Sequence, residues 1–200
     1  MTIPLRDEAW RAPVASSKEL WSGPIFSVRR DRIRFAGSEL TRDVAAHLDA
    51  VAIVALDDAH RVLLIRQYRH PVGRIEWELP AGLVDVPGEN FVQAARRELI
   101  EETDHDADEF SVLLQHYTSP GFTDEHLTTF LAQGVHLVPP EQRHTRSEEE
   151  SQIEVRWVPL TEAVEAALAG DVQNMTTIAG LLAAERRLPP DSSRNPSYTP

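Results

Sequence analysis

Residues 81–105 read AGLVDVPGENFVQAARRELIEETDH, and the fold turns on this stretch. Leu79-Pro80-Ala81-Gly82 closes an apolar run, and Pro87-Gly88 marks a turn. Glu89 then opens a helical pattern over 89–103, with Phe91, Val92, Ala95, Leu99 and Ile100 on the inward side. Within it, Arg97-Glu98-Leu99-Ile100-Glu101-Glu102 sets Glu98 and Glu102 four residues apart and Glu98 and Glu101 three apart, so their side chains share a face. Like charges at those spacings destabilise an isolated helix by roughly 0.2–0.5 kcal/mol per pair. A chain that carries them usually has a cation to set between them. Hard divalent cations take oxygen ligands, and Mg²⁺ is held by a few carboxylates together with substrate phosphates. The competing reading is a solvated acidic face, partly neutralised by Arg96 and Arg97. The loop, turn and acidic helix together form a rigid device, which favours a metal-dependent site for phosphate chemistry.

Working outward, the organisation is mixed α and β. Short β-like runs surround Phe26/Val28 and Ile33/Phe35. Residues 51–56 read as a buried strand, 57–60 as a turn, and 61–67 as a strand that pairs back in a hairpin. Residues 111–117, 127–132 and 153–158 are further strand candidates. Two more helices are expected over 161–169 and 171–187, the first stopped by Gly170 and the second capped by Asp171. Strands before and between helices imply a sheet covered on both faces. Residues 139–150, PPEQRHTRSEEE, read as a mobile loop, and the tail from Pro189 as loose.

Composition narrows the function classes. A hydrophobic fraction of 42% is enough for a sizeable core, and with no cysteine there is neither a disulfide nor a thiolate metal site. The expected compartment is the cytoplasm: MTIPLRDEAW lacks the pattern of a secretory signal. The longest apolar run, Ala50 to Leu56, is far short of the ~20 residues that span a bilayer. A net charge of −12 argues against nucleic-acid binding, which needs basic surface. It allows a small anionic ligand, since a metal and local arginines reverse the local field.

The central stretch resembles the Nudix box, G-x5-E-x7-R-E-U-x-E-E-x-G-U with U aliphatic. Gly82 matches the first glycine, Glu89 the first glutamate one residue late, and Arg97-Glu98-Leu99-x-Glu101-Glu102 follows without a gap. Asp104 replaces the last glycine and His105 the closing aliphatic residue. Pro120 lies fifteen residues beyond His105, a spacing that resembles the ADP-ribose pyrophosphatase branch of the family. Gln67-Tyr68-Arg69-His70, Trp77-Glu78-Leu79-Pro80-Ala81-Gly82 and residues 23–30 look like that branch too.

The resemblance implies an α/β/α sandwich around a mixed sheet. It further implies an N-terminal antiparallel β element, residues 1–46, that helps build a homodimer, ahead of a hydrolase domain over 47–188. The implied activity is Mg²⁺-dependent hydrolysis (Mn²⁺ being the alternative) of ADP-ribose to AMP and ribose 5-phosphate. The alternatives are the same chemistry on a nucleotide sugar or dinucleotide, and a non-catalytic ADP-ribose-binding module. Glu98, Glu102 and Glu101 are the candidate metal ligands, with the Ala81 carbonyl completing the set by resemblance. Glu89 is expected to orient those ligands, and Arg97 to lock a carboxylate with its planar fork. On the matching loop, Glu149 or Glu150 is the candidate base, against a plain acidic run Glu148–Glu150. Arg69 is a candidate for a phosphate or the terminal ribose, or else pairs with a surface carboxylate. Asp124 and Glu125 are candidates for ribose hydroxyls. Phe26 is a candidate for stacking on adenine, or else a core residue. Trp77 is read as a packing residue.

Overall fold

Ala50–Ala55 is apolar at every position, and every one of its side chains is buried. A strand written that way needs cover on both faces, and the rest of the fold supplies it. The computed structural model describes residues 5–146 and 151–188. Its strands and helices run in the order β1 (Val14–Ser22), β2 (Phe26–Phe35), β3 (Ser38–His47), β4 (Ala50–Ala55), β5 (Arg61–Arg69), β6 (Arg74–Glu78), β7 (Ala81–Leu83), α1 (Phe91–Thr103), β8 (His105–Tyr117), β9 (His126–Leu137), β10 (Glu154–Pro159), α2 (Leu160–Ala169) and α3 (Met175–Arg187). The chain divides into two compact units, one running to Leu48 and taking in Ser119–Glu125, the other holding the remainder.

In the larger unit, β7, β4, β9 and β8 form a mixed sheet in that order, with β4 parallel to β9 and the other pairs antiparallel. A second sheet runs β10-β5-β6, all antiparallel. Alternation along β4 sorts the core into two layers. Ala52, Val54 and Leu56 pack with Leu160, Val164 and Leu181 of α2 and α3. Val51, Ile53 and Ala55 pack with Ala94, Ala95 and Leu99 of α1. The unit is the expected α/β/α sandwich.

Several local expectations are revised. Strands β4 and β5 do not form a hairpin: β4 pairs with β7 and β9, β5 with β6 and β10, and a single bridge, Leu56 to Val62, joins them. The third helix begins at Met175 and is capped by Asn174, whose side chain accepts the Thr177 N–H at 3.0 Å, not by Asp171. Val172 is buried in the core, which commits the preceding residues to a loop. Gly170 does end α2, in the left-handed conformation.

The smaller unit is the antiparallel sheet β1-β2-β3. Residues 119–125 lie along β3: Ala45 N–H donates to the Phe122 carbonyl at 2.8 Å, and Asp124 accepts the His47 N–H at 3.0 Å. No described residue up to Leu48 is buried, and Trp10, Trp21, Ile25, Phe26 and Phe35 are exposed.

Candidate active site

Strand β7 runs antiparallel to β4, with Ala81 opposite Ala52, and so delivers Ala81 and Gly82 beside α1. The chain then turns through 84–90. This loop contains a turn closed by the Glu89 N–H on the Val86 carbonyl at 3.1 Å, with Gly88 left-handed at φ 85°. Helix α1 starts at Phe91, two residues later than expected, because Asn90 and Gln93 form a reciprocal cap: Gln93 N–H donates to Asn90 Oδ1 at 3.0 Å and Asn90 N–H to Gln93 Oε1 at 2.8 Å. Glu89 is thereby left outside the helix.

Arg97 is the hub. Its Nε and Nη2 each donate to one oxygen of Glu89 at 3.0 Å, the bidentate fork, and Nη2 also reaches the Leu83 carbonyl at 2.9 Å. Its Nη1 donates to Glu98 at 2.6 Å and to Glu101 at 3.1 Å. The hydrogen bond to Glu89 and the surrounding carboxylates hold its guanidinium above the usual arginine range. One side chain thus ties the loop, the first glutamate of the motif and the helix carboxylates together.

Glu98 and Glu102 are only 13% and 7% exposed. Burial pushes the Glu98 carboxyl up to about 7, despite Arg97 beside it. Burial likewise holds Glu102 well above the usual carboxylate range, although it accepts the Ala81 N–H at 2.9 Å. A Cβ at Gly82 would fall on the Glu98 carboxylate, so the absence of a side chain there makes its room. Beyond Glu102 lies a feature that sequence reading missed: Glu78, buried at the end of β6, is gripped by Arg69 through Nε at 2.8 Å and Nη2 at 2.7 Å. That bond holds the Arg69 guanidinium above its usual range, with Glu102 adding to the effect. A charged residue in an otherwise apolar Trp-Glu-Leu-Pro run was the available signal. The partner of Arg69 is therefore a buried carboxylate, not a surface one.

Among the described residues no three Asp, Glu or His groups converge in a ready-made metal cage; Glu98 and Glu101 are turned onto Arg97. The donor set nevertheless suits a hard divalent cation: buried carboxylate oxygens with raised proton affinity, beside a glycine that leaves them space.

Phe26, Asp124 and Glu125 belong to the smaller unit. Phe26 is 39% exposed and packs at a tilt against Trp21 with ring centres 5.1 Å apart, so it is not a core residue. Asp124 accepts from Arg29 at 3.0 Å and from the His47 N–H, which makes it a tether of its loop in this structure. Glu125 N–H donates to Thr123 Oγ1 at 3.2 Å. Trp77 packs against the core and carries Arg66 over its ring. Glu148, Glu149 and Glu150 lie outside the described residues, as does the tail from Pro189. In the described part of the 139–150 loop, Arg143 Nε donates to the Val138 carbonyl at 3.3 Å, and Arg146 Nε to the Glu101 carbonyl at 2.8 Å.

A mixed sheet between helices, with a glycine loop laid over the acidic face of α1, defines the hydrolase class to which the central motif points. The NUDIX domain model matches residues 46–177, and the chain belongs to the Nudix hydrolase family. It is 45% identical over 170 residues to an ADP-ribose pyrophosphatase of Mycobacterium tuberculosis, covering 84% of this chain and 80% of that one. It is 30% identical over 163 residues to an ADP-ribose pyrophosphatase of Bacillus subtilis, covering 81% and 86%. Among solved structures, one described as an ADP compounds hydrolase superposes with a TM-score of 0.75 at 20% identity, over 90% of this chain and 96% of that one, a likeness of fold. Nudix hydrolases generally use a divalent metal. Among the described residues no helix is long and apolar enough to cross a membrane.

Proposed function

We propose that this protein hydrolyses the pyrophosphate bond of ADP-ribose, with Mg²⁺ or alternatively Mn²⁺, to give AMP and ribose 5-phosphate. The observation that carries the chemistry is geometric: Glu98 and Glu102, little exposed on one face of α1, lie against Gly82 and the Ala81 N–H. The choice of ADP-ribose is supported by the 45% identity to a protein so named. Glu98 and Glu102 would hold the cation, with Glu101 and the Ala81 carbonyl completing the set. When bound, the cation neutralises the diphosphate and acidifies a water.

The remaining work falls to the chain's own groups. Arg97 fixes Glu89 and the loop, and so sets where the helix carboxylates point. Arg69, oriented by its bidentate pair with Glu78, meets a phosphate or the terminal ribose. Glu149 or Glu150 takes the proton of the attacking water. Phe26 stacks on adenine, and Asp124 and Glu125 meet ribose hydroxyls. The exposed aromatic residues of the sheet β1-β2-β3 support its burial in a homodimer, with residues 1–46 as the dimer element and 47–188 as the catalytic domain. The compartment in keeping with the lack of cysteine is the cytoplasm.

Steady-state kcat/KM over a panel of ADP-ribose, a nucleotide sugar and a dinucleoside diphosphate tests this reading. ADP-ribose is expected to lead by roughly tenfold or more. A different leader reassigns the substrate, and tight binding without AMP release in Mg²⁺ makes the protein a binding module.

A further inference from the structure

Position 104 is where the Nudix pattern has glycine, and the backbone there is left-handed, with φ 59° and ψ 24°. That conformation costs a residue with a Cβ on the order of 1 kcal/mol, and Asp is tolerated when its side chain finds a compensating bond. Asp104 finds instead an ion-pair partner far along the chain. Its Oδ2 lies 2.8 Å from Nη2 of Arg146, with the two side chains only 22% and 21% exposed. Arg146 Nε in turn donates to the Glu101 carbonyl at 2.8 Å, a carbonyl of the last turn that has no acceptor role left within the helix. The Asp104 backbone carbonyl, independent of its side chain, also accepts the Val138 N–H at 3.0 Å, so the strand end and the loop are both fastened to the end of α1.

We propose that Asp104 and Arg146 form a clasp that positions the last turn of α1, and with it Glu101 and Glu102, for divalent-cation binding. Both are positioning residues. The proposal rests on the reading of those carboxylates as metal ligands. Helix ends fray at little cost, and a turn that opens carries its side chains with it. A cation bonded to a C-terminal carbonyl also complements the negative end of the helix dipole. Glycine at 104 would meet the backbone requirement with less strain but could not hold Arg146. A merely tolerated Asp104 and a working one therefore predict opposite results for its replacement by glycine.

The full chain is compared with R146A, R146K, D104G and the R146A/D104G double variant. Three measurements are made: hydrogen exchange of the metal-free protein, the dissociation constant for Mn²⁺ without substrate, and kcat and KM for ADP-ribose in saturating Mg²⁺. In R146A and D104G, exchange at the amides of Asp104 and His105 is expected to speed up about tenfold, Mn²⁺ binding to weaken about tenfold and kcat to fall about tenfold with KM within about twofold. The double variant should match the singles, because they remove one shared interaction, and R146K should fall between R146A and the parent. The clasp is overturned by parental Mn²⁺ affinity in D104G and R146A, by effects that add in the double variant, or by a parent chain that binds no Mn²⁺. A parent that binds Mn²⁺ but releases no AMP from ADP-ribose defeats the substrate assignment instead, and exchange and Mn²⁺ affinity still decide the clasp.

Discussion

Gly82 faces the carboxylate of Glu98 so closely that a methyl group on its Cα would overlap the carboxyl carbon and both oxygens. The overlapped atoms are the far end of a flexible side chain, so a larger residue at 82 displaces the carboxylate and leaves the backbone in place. Gly82→Ala is expected to fold, with a melting temperature within a few degrees of the parent. AMP release should fall by roughly 10²-fold, because a ligand out of place by an ångström costs about that much. Circular dichroism and steady-state kinetics check it. Near-parental turnover would show that Glu98 need not occupy that space.

Glu98→Gln and Glu102→Gln should each reduce turnover by orders of magnitude, since an amide cannot replace a carboxylate as a ligand to a hard cation. The same changes should raise the metal-free melting temperature, because each removes a buried carboxylate whose ionisation burial opposes. Opposite signs for activity and stability, read by kinetics and by thermal melting in EDTA, distinguish a functional carboxylate from a structural one.

The Glu98 carboxyl stands at about 7 in the folded chain, raised from an ordinary value near 4.5. Between those values the folded state binds more protons than the unfolded one, so stability falls as pH rises through that window and levels off above it. In EDTA the melting temperature is expected to be lower at pH 8 than at pH 6 by roughly 3–6 °C on account of the buried carboxylates. The E98Q/E102Q double variant should lose most of that slope. An equal slope in the double variant would place its origin elsewhere.

Arg97→Lys retains a positive charge and loses the fork that holds both oxygens of Glu89 while reaching Glu98 and the Leu83 carbonyl. A drop in kcat of about 10–100-fold is expected, the range typical for partners that orient metal ligands. KM for ADP-ribose should change little. A variant with parental kcat would show that Glu89 and the loop are set by other contacts.

Where structure is decided by neighbours in the chain, the sequence was readable. The apolar spacing of Phe91 to Ile100 and the acidic run from Glu98 gave helix α1, and the unbroken apolar run at 50–55 gave a strand buried on both faces. Pairing was less legible, because the partners of β4 are set by which strands bury its two edges, and β9 lies far along the chain. Strands β1 and β3 were legible only through the resemblance, which implied an antiparallel element over 1–46; no alternation of apolar and polar residues marks them. The cap of α3 went to Asn174 because burial of Val172 withdrew the earlier residues from the helix. In the candidate site, the shared face of the helix carboxylates and the fork of Arg97 on a carboxylate were readable from local spacing and resemblance. Glu78 with Arg69, and Asp104 with Arg146, are pairs that only the fold brings together. His105, which stands where an aliphatic residue was expected, packs edge-on against Trp157 at 5.7 Å, a contact that keeps the position half-buried.

The central claim is that a divalent cation sits against Glu98 and Glu102. Crystals soaked in Mn²⁺, examined by anomalous scattering, test it most directly. The account predicts a strong peak touching a carboxylate oxygen of each residue, at the short distances hard cations make with oxygen. Saturating Mn²⁺ with no peak beside either carboxylate would contradict it.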